Sequence, residues 1–429
     1  MKEKFIKSTI ILIIGGFITK VLGMLIRIIS TRIIGLEGIG LYMLVLPTFN
    51  LFITIATLSF PVAISKIVAE DKRNNKKIVF GIIPVALVFN FILIILLLIF
   101  SPYIANNLLK NSDLYFPILA IAITLPFITL SSIIRGYFFG KEKMIPHVVS
   151  NIFEQIIRII IILIITPLLL QKGIIFAVCG LIIFNCISEL ASIIVLFFFL
   201  PKKIKIKKSD IKPDLSYIKD IFFISIPTTL GRLISSIGMF LEPIVITSIL
   251  LKIGWNTTNI TTEFGIITGY VLPMVMMPSF LSGAISSALL PIITKLYIKK
   301  SYKEVKRKTR QAIIYSLLIG IPCSLFMFFF PEFCLTTIFH TIHGSEYLKL
   351  ASLIFIVSYI LGPLSTCLQA IDKPKIVMKS NLIGVIIKIL VLSICLFLRL
   401  NFYSILIAYL IQYIFILIYQ VFIIKKIIN

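Results

Sequence analysis

The sequence predicts an all-α integral membrane protein of twelve transmembrane helices in two six-helix halves, and three observations lead to this prediction. The chain has 429 residues, of which 59% are hydrophobic, and its mean hydropathy is +1.10. Its apolar stretches are long enough to cross a bilayer, which takes about 20 residues. The 42 Lys and Arg, against 17 Asp and Glu, concentrate in the two termini and in every second loop between those stretches.

The elements follow from the apolar stretches in chain order. We expect helices at 8–29, 40–64, 78–100, 115–138, 147–169, 174–199, 220–250, 266–294, 312–330, 348–370, 378–398 and 402–424. Basic loops are retained in the cytoplasm, so the alternation places both termini there, with cytoplasmic loops at 65–77, 139–146, 200–219, 295–311 and 371–377.

The loop at 200–219 is the longest polar break near the middle of the chain and contains Pro201 and Pro213. We therefore predict a six-helix bundle at 1–199, a cytoplasmic linker at 200–219 and a second six-helix bundle at 220–429. Since six is even, both halves begin in the cytoplasm with the same orientation. Parallel repeats of this kind are one way in which transporters are built.

Composition also excludes several classes of protein. The net charge of +25 lies in short juxtamembrane loops, which favours lipid headgroups as partners and argues against nucleic acid. Six cysteines without a CxxC pair and three histidines form neither a metal site nor a catalytic set with the few acids. We expect no enzyme activity, no cofactor and no metal, in a multi-pass protein of the cell membrane.

Ionisable residues inside predicted spans mark candidate functional positions, because charge is expensive there. Apart from Asp220, Lys349 and Lys379, which lie at the very start of their spans, the six cations are Lys20, Arg27, Arg135, Arg158, Arg232 and Lys388, and the three acids are Glu154, Glu189 and Glu242. Lys20 and Arg27 are seven residues apart, nearly two turns, so they share one helix face with Gly23 between them. We interpret this face as the lining of a cavity; the alternative is that Arg27 reaches the headgroups from the end of its helix.

The other interior charges have two interpretations each. Glu154 and Arg158 are spaced for a salt bridge on one helix face, and Glu154 could also bind or release an ion. Arg135 either anchors the cytoplasmic end of its helix or contacts a substrate. Arg232 and Glu242 lie ten residues apart on the seventh helix, where Glu242 is either structural or ion-coupling.

The excess of cations predicts an anionic substrate. The guanidinium group of arginine can donate two parallel hydrogen bonds to phosphate oxygens, and the ammonium group of lysine adds a compact positive charge. The candidate substrate-binding residues are therefore Lys20, Arg27, Arg135, Arg158 and Arg232. An exporter of organic cations would need the opposite charge.

Three stretches resemble the stage V sporulation protein B family. They run from Ile18 to Asp71, from Arg135 to Ile159, which contains RGYFFG and EQIIR, and from Ser225 to Ile246. This family belongs to the multidrug/oligosaccharidyl-lipid/polysaccharide exporter superfamily, whose relatives include lipid II flippases, O-antigen flippases and multidrug extruders.

The resemblance implies a V-shaped helical bundle and movement of an undecaprenyl-pyrophosphate-linked saccharide by alternating access. For this branch it implies a peptidoglycan precursor for the cell wall or spore cortex. By the pattern of the lipid II flippases, Lys20 and Arg27 would hold the pyrophosphate, and Arg232 would replace a cavity arginine of the eighth helix. The implied partners are the lipid-linked saccharide and membrane lipids, with cell-wall synthesis enzymes as further candidates.

Three alternatives stay open at this point. They are a flippase for other polysaccharide repeat units, of the O-antigen type, a multidrug exporter of the same fold, and a scaffold that recruits cell-wall enzymes without transporting. The scaffold would tolerate loss of Lys20 and Arg27, whereas a flippase would not.

Overall fold

The computed structural model describes residues 2–70, 75–200 and 213–428, and all regular structure in these ranges is helical. The α-helices are α1 (Lys2–Thr57), α2 (Phe60–Ala69), α3 (Asn75–Tyr103), α4 (Tyr115–Gly140), α5 (Met144–Leu170), α6 (Ile174–Phe198), α7 (Leu215–Lys252), α8 (Thr257–Gly265), α9 (Leu272–Met276), α10 (Ser279–Ile298), α11 (Tyr302–Phe329), α12 (Pro331–Phe339), α13 (Ser345–Ile354), α14 (Ile356–Ala370), α15 (Pro374–Phe397) and α16 (Tyr403–Ile428). The all-α prediction is confirmed.

Eleven helical segments of the described ranges are long and apolar enough to cross a membrane. The first of them, Ile14–Ala69, has 56 residues and contains both of the helices predicted at 8–29 and 40–64. A continuous helix of that length would measure about 84 Å, far more than the hydrocarbon thickness of about 30 Å. The twelve-pass topology with cytoplasmic termini stays a prediction.

Gly35 separates the two segments of α1, where a loop over residues 30–39 was expected. Its φ of 68° and ψ of −170° lie outside the helical region. This combination is essentially restricted to glycine, because a Cβ atom would clash with the backbone. A single residue therefore interrupts the helix, and the expected loop is wrong.

Two further expectations are corrected. The helix expected at 266–294 is broken into a π-helical turn at Ile266–Val271, α9 and α10, since Pro273 and Pro278 cannot donate backbone hydrogen bonds. Much of the loop expected at 295–311 is helical, because α11 begins at Tyr302.

The first turns of α11 are helical because one face of this basic segment is apolar. Val305, Thr309 and Ala312 recur at helical spacing and are buried. Val305 and Ala312 pack in a cluster with Leu368 and Ile371 from the end of α14. The lysines and arginines of this segment lie mostly on the opposite, exposed face.

The chain forms two compact units, Met1–Phe240 and Leu241–Asn429, and the division falls inside α7. In the first unit, α1, α4, α5 and α6 pack against one another. In the second unit, α10, α11 and α14 pack together, and α15 packs on α16. The division predicted at 200–219 stays a prediction, and residues 201–212 of that linker lie outside the described residues.

Candidate functional site

Lys20 and Arg27 lie on the first segment of α1, as predicted, in different surroundings. Lys20 is exposed and lines a pocket, whereas Arg27 is half-buried and its Nη2 lies 3.0 Å from the Sδ of Met43. Gly23 between them has no atom within 4 Å of the position a Cβ would take. The helix face beside Gly23 is therefore open.

The pocket beside Lys20 has a volume of about 180 Å³ and lies between α1 and α5. Its wall from α1 contains Leu12, Gly15, Gly16, Thr19 and Lys20, and its wall from α5 contains His147, Val148 and Asn151. The two helices approach closely here because Gly15 leaves room for the side chain of Val148. The lining brings one lysine together with a histidine and an amide.

Arg135, Arg158, Glu154 and Glu189 form one buried charge cluster, which we call the four-charge cluster. The Nη2 of Arg135 lies 2.7 Å from Glu154 Oε2 and 3.3 Å from Glu189 Oε2. The Nη2 of Arg158 lies 2.7 Å from Glu154 Oε1, which is the predicted contact between positions i and i+4. Two positive and two negative charges from α4, α5 and α6 thus balance one another.

Two serines of α6 add to the four-charge cluster. Arg135 donates to Ser192 Oγ at 2.8 Å, and Arg158 donates to Ser188 Oγ at 3.1 and 2.9 Å through Nε and Nη2. The arginine side chains are 17% exposed and the carboxylates 7% and 8%. Salt bridges this well buried need additional hydrogen bonds of this kind, because desolvation of the charges is costly; the buried Nε of Arg135 alone has no partner among the described atoms of the cluster. The cluster therefore suits a structural role in the first unit.

Arg232 is exposed on α7 and lies beside the junction between α1 and α2. Its Nη1 is 3.5 Å from Ser59 Oγ, which also accepts a hydrogen bond from Thr229 at 3.2 Å. Leu58 and Ser59 both have positive φ, 42° and 49°, so the backbone is strained where it meets Arg232. On the same helix, Ser236 is buried and hydrogen-bonds Thr54 at 2.9 Å.

Glu242 and Lys388 form a buried pair in the second unit. Lys388 Nζ donates to Glu242 Oε2 at 2.5 Å, and the two residues are 5% and 6% exposed respectively. The same ammonium lies 4.1 Å from the centroid of the Tyr409 ring, close enough for a cation–π contact. Sequence reasoning named both charges but did not pair them, because they lie 146 residues apart.

The pairing divides the interior charges into two groups. The three interior acids all contact Arg135, Arg158 or Lys388, and the resulting clusters are neutral. Lys20, Arg27 and Arg232 lie outside these neutral clusters, all in the first unit. Positive charge in surplus over carboxylates suits the binding of an anion.

The His147–Asn151 pair is the part of the site that sequence reasoning missed. A signal was present, because residues 147, 151, 154 and 158 of α5 follow one another at intervals of four, three and four. This spacing places them on a single helix face. Within the described ranges, no group of three or more His, Cys, Asp or Glu is arranged to hold a metal ion.

Comparison with known proteins places this geometry in context. The family described as polysaccharide biosynthesis protein matches residues 5–297, and the family described as MatE matches residues 267–394. Stage V sporulation protein B of Bacillus subtilis (strain 168) is 34% identical over 397 residues, covering 90% of this chain and 77% of that protein. Lipid II flippase MurJ of the same organism is 26% identical over 91% of this chain and 77% of its own length.

Two solved structures share the fold. The inward-facing conformation of a multidrug resistance MATE family transporter has a TM-score of 0.74 at 16% identity, covering 95% of this chain and 94% of the other. Lipid II flippase MurJ in an inward closed conformation has a TM-score of 0.72 at 16% identity, covering 96% and 87%. At this identity the likeness shows the architecture and does not choose between their substrates.

Proposed function

We propose that this chain, which belongs to the polysaccharide biosynthesis protein family, moves an undecaprenyl-pyrophosphate-linked saccharide across the cell membrane by alternating access. The chain is a multi-pass membrane protein of the superfamily that includes flippases and multidrug transporters. The saccharide, and its identity as a peptidoglycan precursor for cell wall or spore cortex, are the proposed part.

The observation that carries the proposal is the division of the interior charges. Lys20, Arg27 and Arg232 lie outside the two neutral clusters, and the six cations and three acids together have a positive net charge. A pyrophosphate supplies several acceptor oxygens with negative charge, which matches lysine and arginine donors. In a membrane protein such a surplus is costly unless a ligand or function compensates for it.

The proposed cycle begins with the pyrophosphate at these three cations while the polyprenyl chain stays in lipid. The phosphate oxygens replace water around the cations, so that neither partner crosses the membrane with its charge uncompensated. The two predicted six-helix halves then alternate access to the two leaflets. Return of the cationic protein without substrate responds to membrane potential, since one charge moved across 100 mV changes the free energy by about 2.3 kcal/mol.

Arg135 and Arg158 belong to the proposed substrate site only if the four-charge cluster opens. In this structure Arg135 contacts Glu154, Glu189 and Ser192. Arg158 contacts Glu154 and Ser188. We therefore assign the direct contacts with phosphate to Lys20, Arg27 and Arg232. Glu154 and Glu242 are assigned structural roles, because each neutralises a buried cation.

The test is binding of the purified protein to lipid II, undecaprenyl pyrophosphate and an organic cation, followed by native mass spectrometry. We expect both pyrophosphate lipids to bind and the double variant Lys20→Ala/Arg27→Ala to lose that binding. Each charge-assisted contact contributes about 1.5–3 kcal/mol, or roughly ten- to hundredfold in affinity. Lys172→Ala is the matched control, since this lysine is exposed outside the proposed site.

Other outcomes favour the alternatives. Preferential binding of the organic cation would favour a multidrug exporter of the same fold. Pyrophosphate binding that ignores both substitutions would contradict the site. If the double variant also restores growth or sporulation in a deletion strain, the scaffold without transport becomes the better explanation.

A further inference from the structure

The pocket between α1 and α5 lies close to one end of α5. His147 is the fourth residue of that helix and Asn151 the eighth, so both lie within about 11 Å of its first residue at 1.5 Å per residue. The predicted topology places this end at the cytoplasmic face. In that topology the pocket lies towards the cytoplasmic leaflet, whose headgroup region is several ångströms thick.

His147 and Asn151 leave hydrogen-bonding capacity unused. Asn151 Nδ2 lies 3.3 Å from His147 Nε2, while His147 Nδ1 and Asn151 Oδ1 have no hydrogen-bond partner among the described residues. An amide nitrogen only donates, so His147 Nε2 accepts and the neutral ring carries its proton on Nδ1. The pair therefore offers one unmet donor and one unmet acceptor.

This conclusion does not depend on how the amide is oriented. If Asn151 is flipped, its oxygen accepts from Nε2–H, and the unmet groups become the amide nitrogen and His147 Nδ1 as acceptor. One donor and one acceptor are unmet in both cases. Buried polar groups in native proteins are nearly always paired with protein, water or a ligand, so this donor and acceptor beside a pocket can be met by a ligand that supplies both.

The two unmet atoms are buried in this state. Both residues are half-buried and line the pocket, so rotation about a side-chain bond is enough to present these atoms to a ligand. The ring of His147 packs on Phe139 with centroids 4.5 Å apart, which limits the movement to local rotation.

Lys20 adds a positive charge beside this pair, because this exposed residue lines the same pocket. The ligand therefore carries an anionic oxygen next to a group with both a donor and an acceptor. The volume of about 180 Å³ is below the range of about 300–1,000 Å³ found for drug-sized ligands. One phosphate with part of one sugar ring fits such a pocket, and a whole glycopeptide does not.

We infer that Lys20, His147 and Asn151 form a subsite for the first sugar of the lipid-linked saccharide and its adjoining phosphate. Lys20 binds a phosphate oxygen, and the His147–Asn151 pair binds a hydroxyl or amide of the sugar. This inference rests on the proposed function. Phosphatidylglycerol has the same chemistry, a phosphate beside hydroxyl groups, so the experiment must separate the two sources.

The experiment measures binding of lipid II, undecaprenyl pyrophosphate and phosphatidylglycerol to the full chain by native mass spectrometry. The variant His147→Phe/Asn151→Leu keeps the side-chain shapes and removes the polar atoms. We expect it to bind lipid II about three- to tenfold more weakly, the effect of one or two hydrogen bonds, and to bind the sugarless pyrophosphate as the wild type does. His343→Phe is the matched control, since His343 is exposed on the segment between α12 and α13.

A second variant keeps the inference testable if the first is misfolded. Asn151→Asp is nearly isosteric and places a carboxylate in the pocket with Lys20, so we expect weaker binding of both pyrophosphate lipids. Thermal unfolding of each variant within a few degrees of the wild type verifies folding.

The possible results separate the two hypotheses. If neither pyrophosphate lipid binds the wild type, the proposed function fails together with the subsite. If both lipids bind and depend on Lys20, but the His147 and Asn151 variants bind lipid II normally, the subsite alone is refuted. An effect confined to phosphatidylglycerol also refutes it, because the pocket then serves a bulk phospholipid.

Discussion

The buried pair of Glu242 and Lys388 allows a quantitative test of which interior charges are structural. Removing one partner of a buried ion pair typically costs about 3–5 kcal/mol, because the other charge is left uncompensated. Replacing both by apolar or neutral residues of similar volume is often neutral or stabilising. We therefore compare Glu242→Gln, Lys388→Met and the double variant.

The contacts around the pair determine which single variant should lose more stability. In Glu242→Gln, Lys388 keeps its position 4.1 Å from the Tyr409 ring, and a desolvated cation–π contact contributes about 2 kcal/mol. We therefore expect the free energy of unfolding of this variant to fall by about 3 kcal/mol. In Lys388→Met, Glu242 keeps no comparable contact among the described residues, so we expect a loss near 5 kcal/mol. The double variant should lie within about 1 kcal/mol of the wild type.

The assay follows the single tryptophan of the chain, Trp255, during denaturant titration in detergent. Its ring packs on Phe402 with centroids 5.5 Å apart, so its fluorescence reports on the second unit, which contains the pair. Glu332→Gln is the control, because Glu332 is exposed. The reasoning is refuted if the single variants unfold like the wild type, or if the double variant loses the sum of the two single losses.

Three further predictions concern the remaining framework. Gly35→Ala and Gly35→Asn should each destabilise the protein by about 1–3 kcal/mol in the same titration, since neither alanine nor asparagine tolerates φ 68° with ψ −170°. The control Gly23→Ala should change stability little, because no atom lies within 4 Å of the added methyl group. Arg158→Met should lower stability by about 3–5 kcal/mol, because it leaves Glu154 with an incomplete set of cations, and should leave lipid affinity per folded molecule unchanged in native mass spectrometry. Gly320→Ala should cost about 1–3 kcal/mol, because its methyl group would overlap the ring of Tyr359; a neutral result would mean that α11 and α14 move apart easily.

The fold was largely predictable because a bilayer imposes a simple rule on sequence. Each crossing needs a long apolar stretch, and basic residues between crossings are biased towards the cytoplasm. Those constraints are local, so the α4 and α5 ends predicted at 138 and 147 lie close to the observed Gly140 and Met144. The errors came from single residues whose effect depends on backbone geometry, such as Gly35 and Pro278.

The salt bridge between Glu154 and Arg158 was also predictable, because both residues lie on one helix. Its extension to Arg135 and Glu189 was not, since those partners come from two other helices. The same limit applies to Glu242 and Lys388. Helical periodicity relates positions within a span and contains no information on which spans pack together.

The sequence by itself determined the class of protein, the approximate spans and the excess of three positive charges inside them. Those properties are sums over residues or patterns within one helix. Only the tertiary structure decided that Lys20, Arg27 and Arg232 lie outside the neutral clusters, because neutralisation depends on distances between helices far apart in the chain. It likewise brought Lys20 into one pocket with His147 and Asn151, through the close approach of α1 and α5 at Gly15.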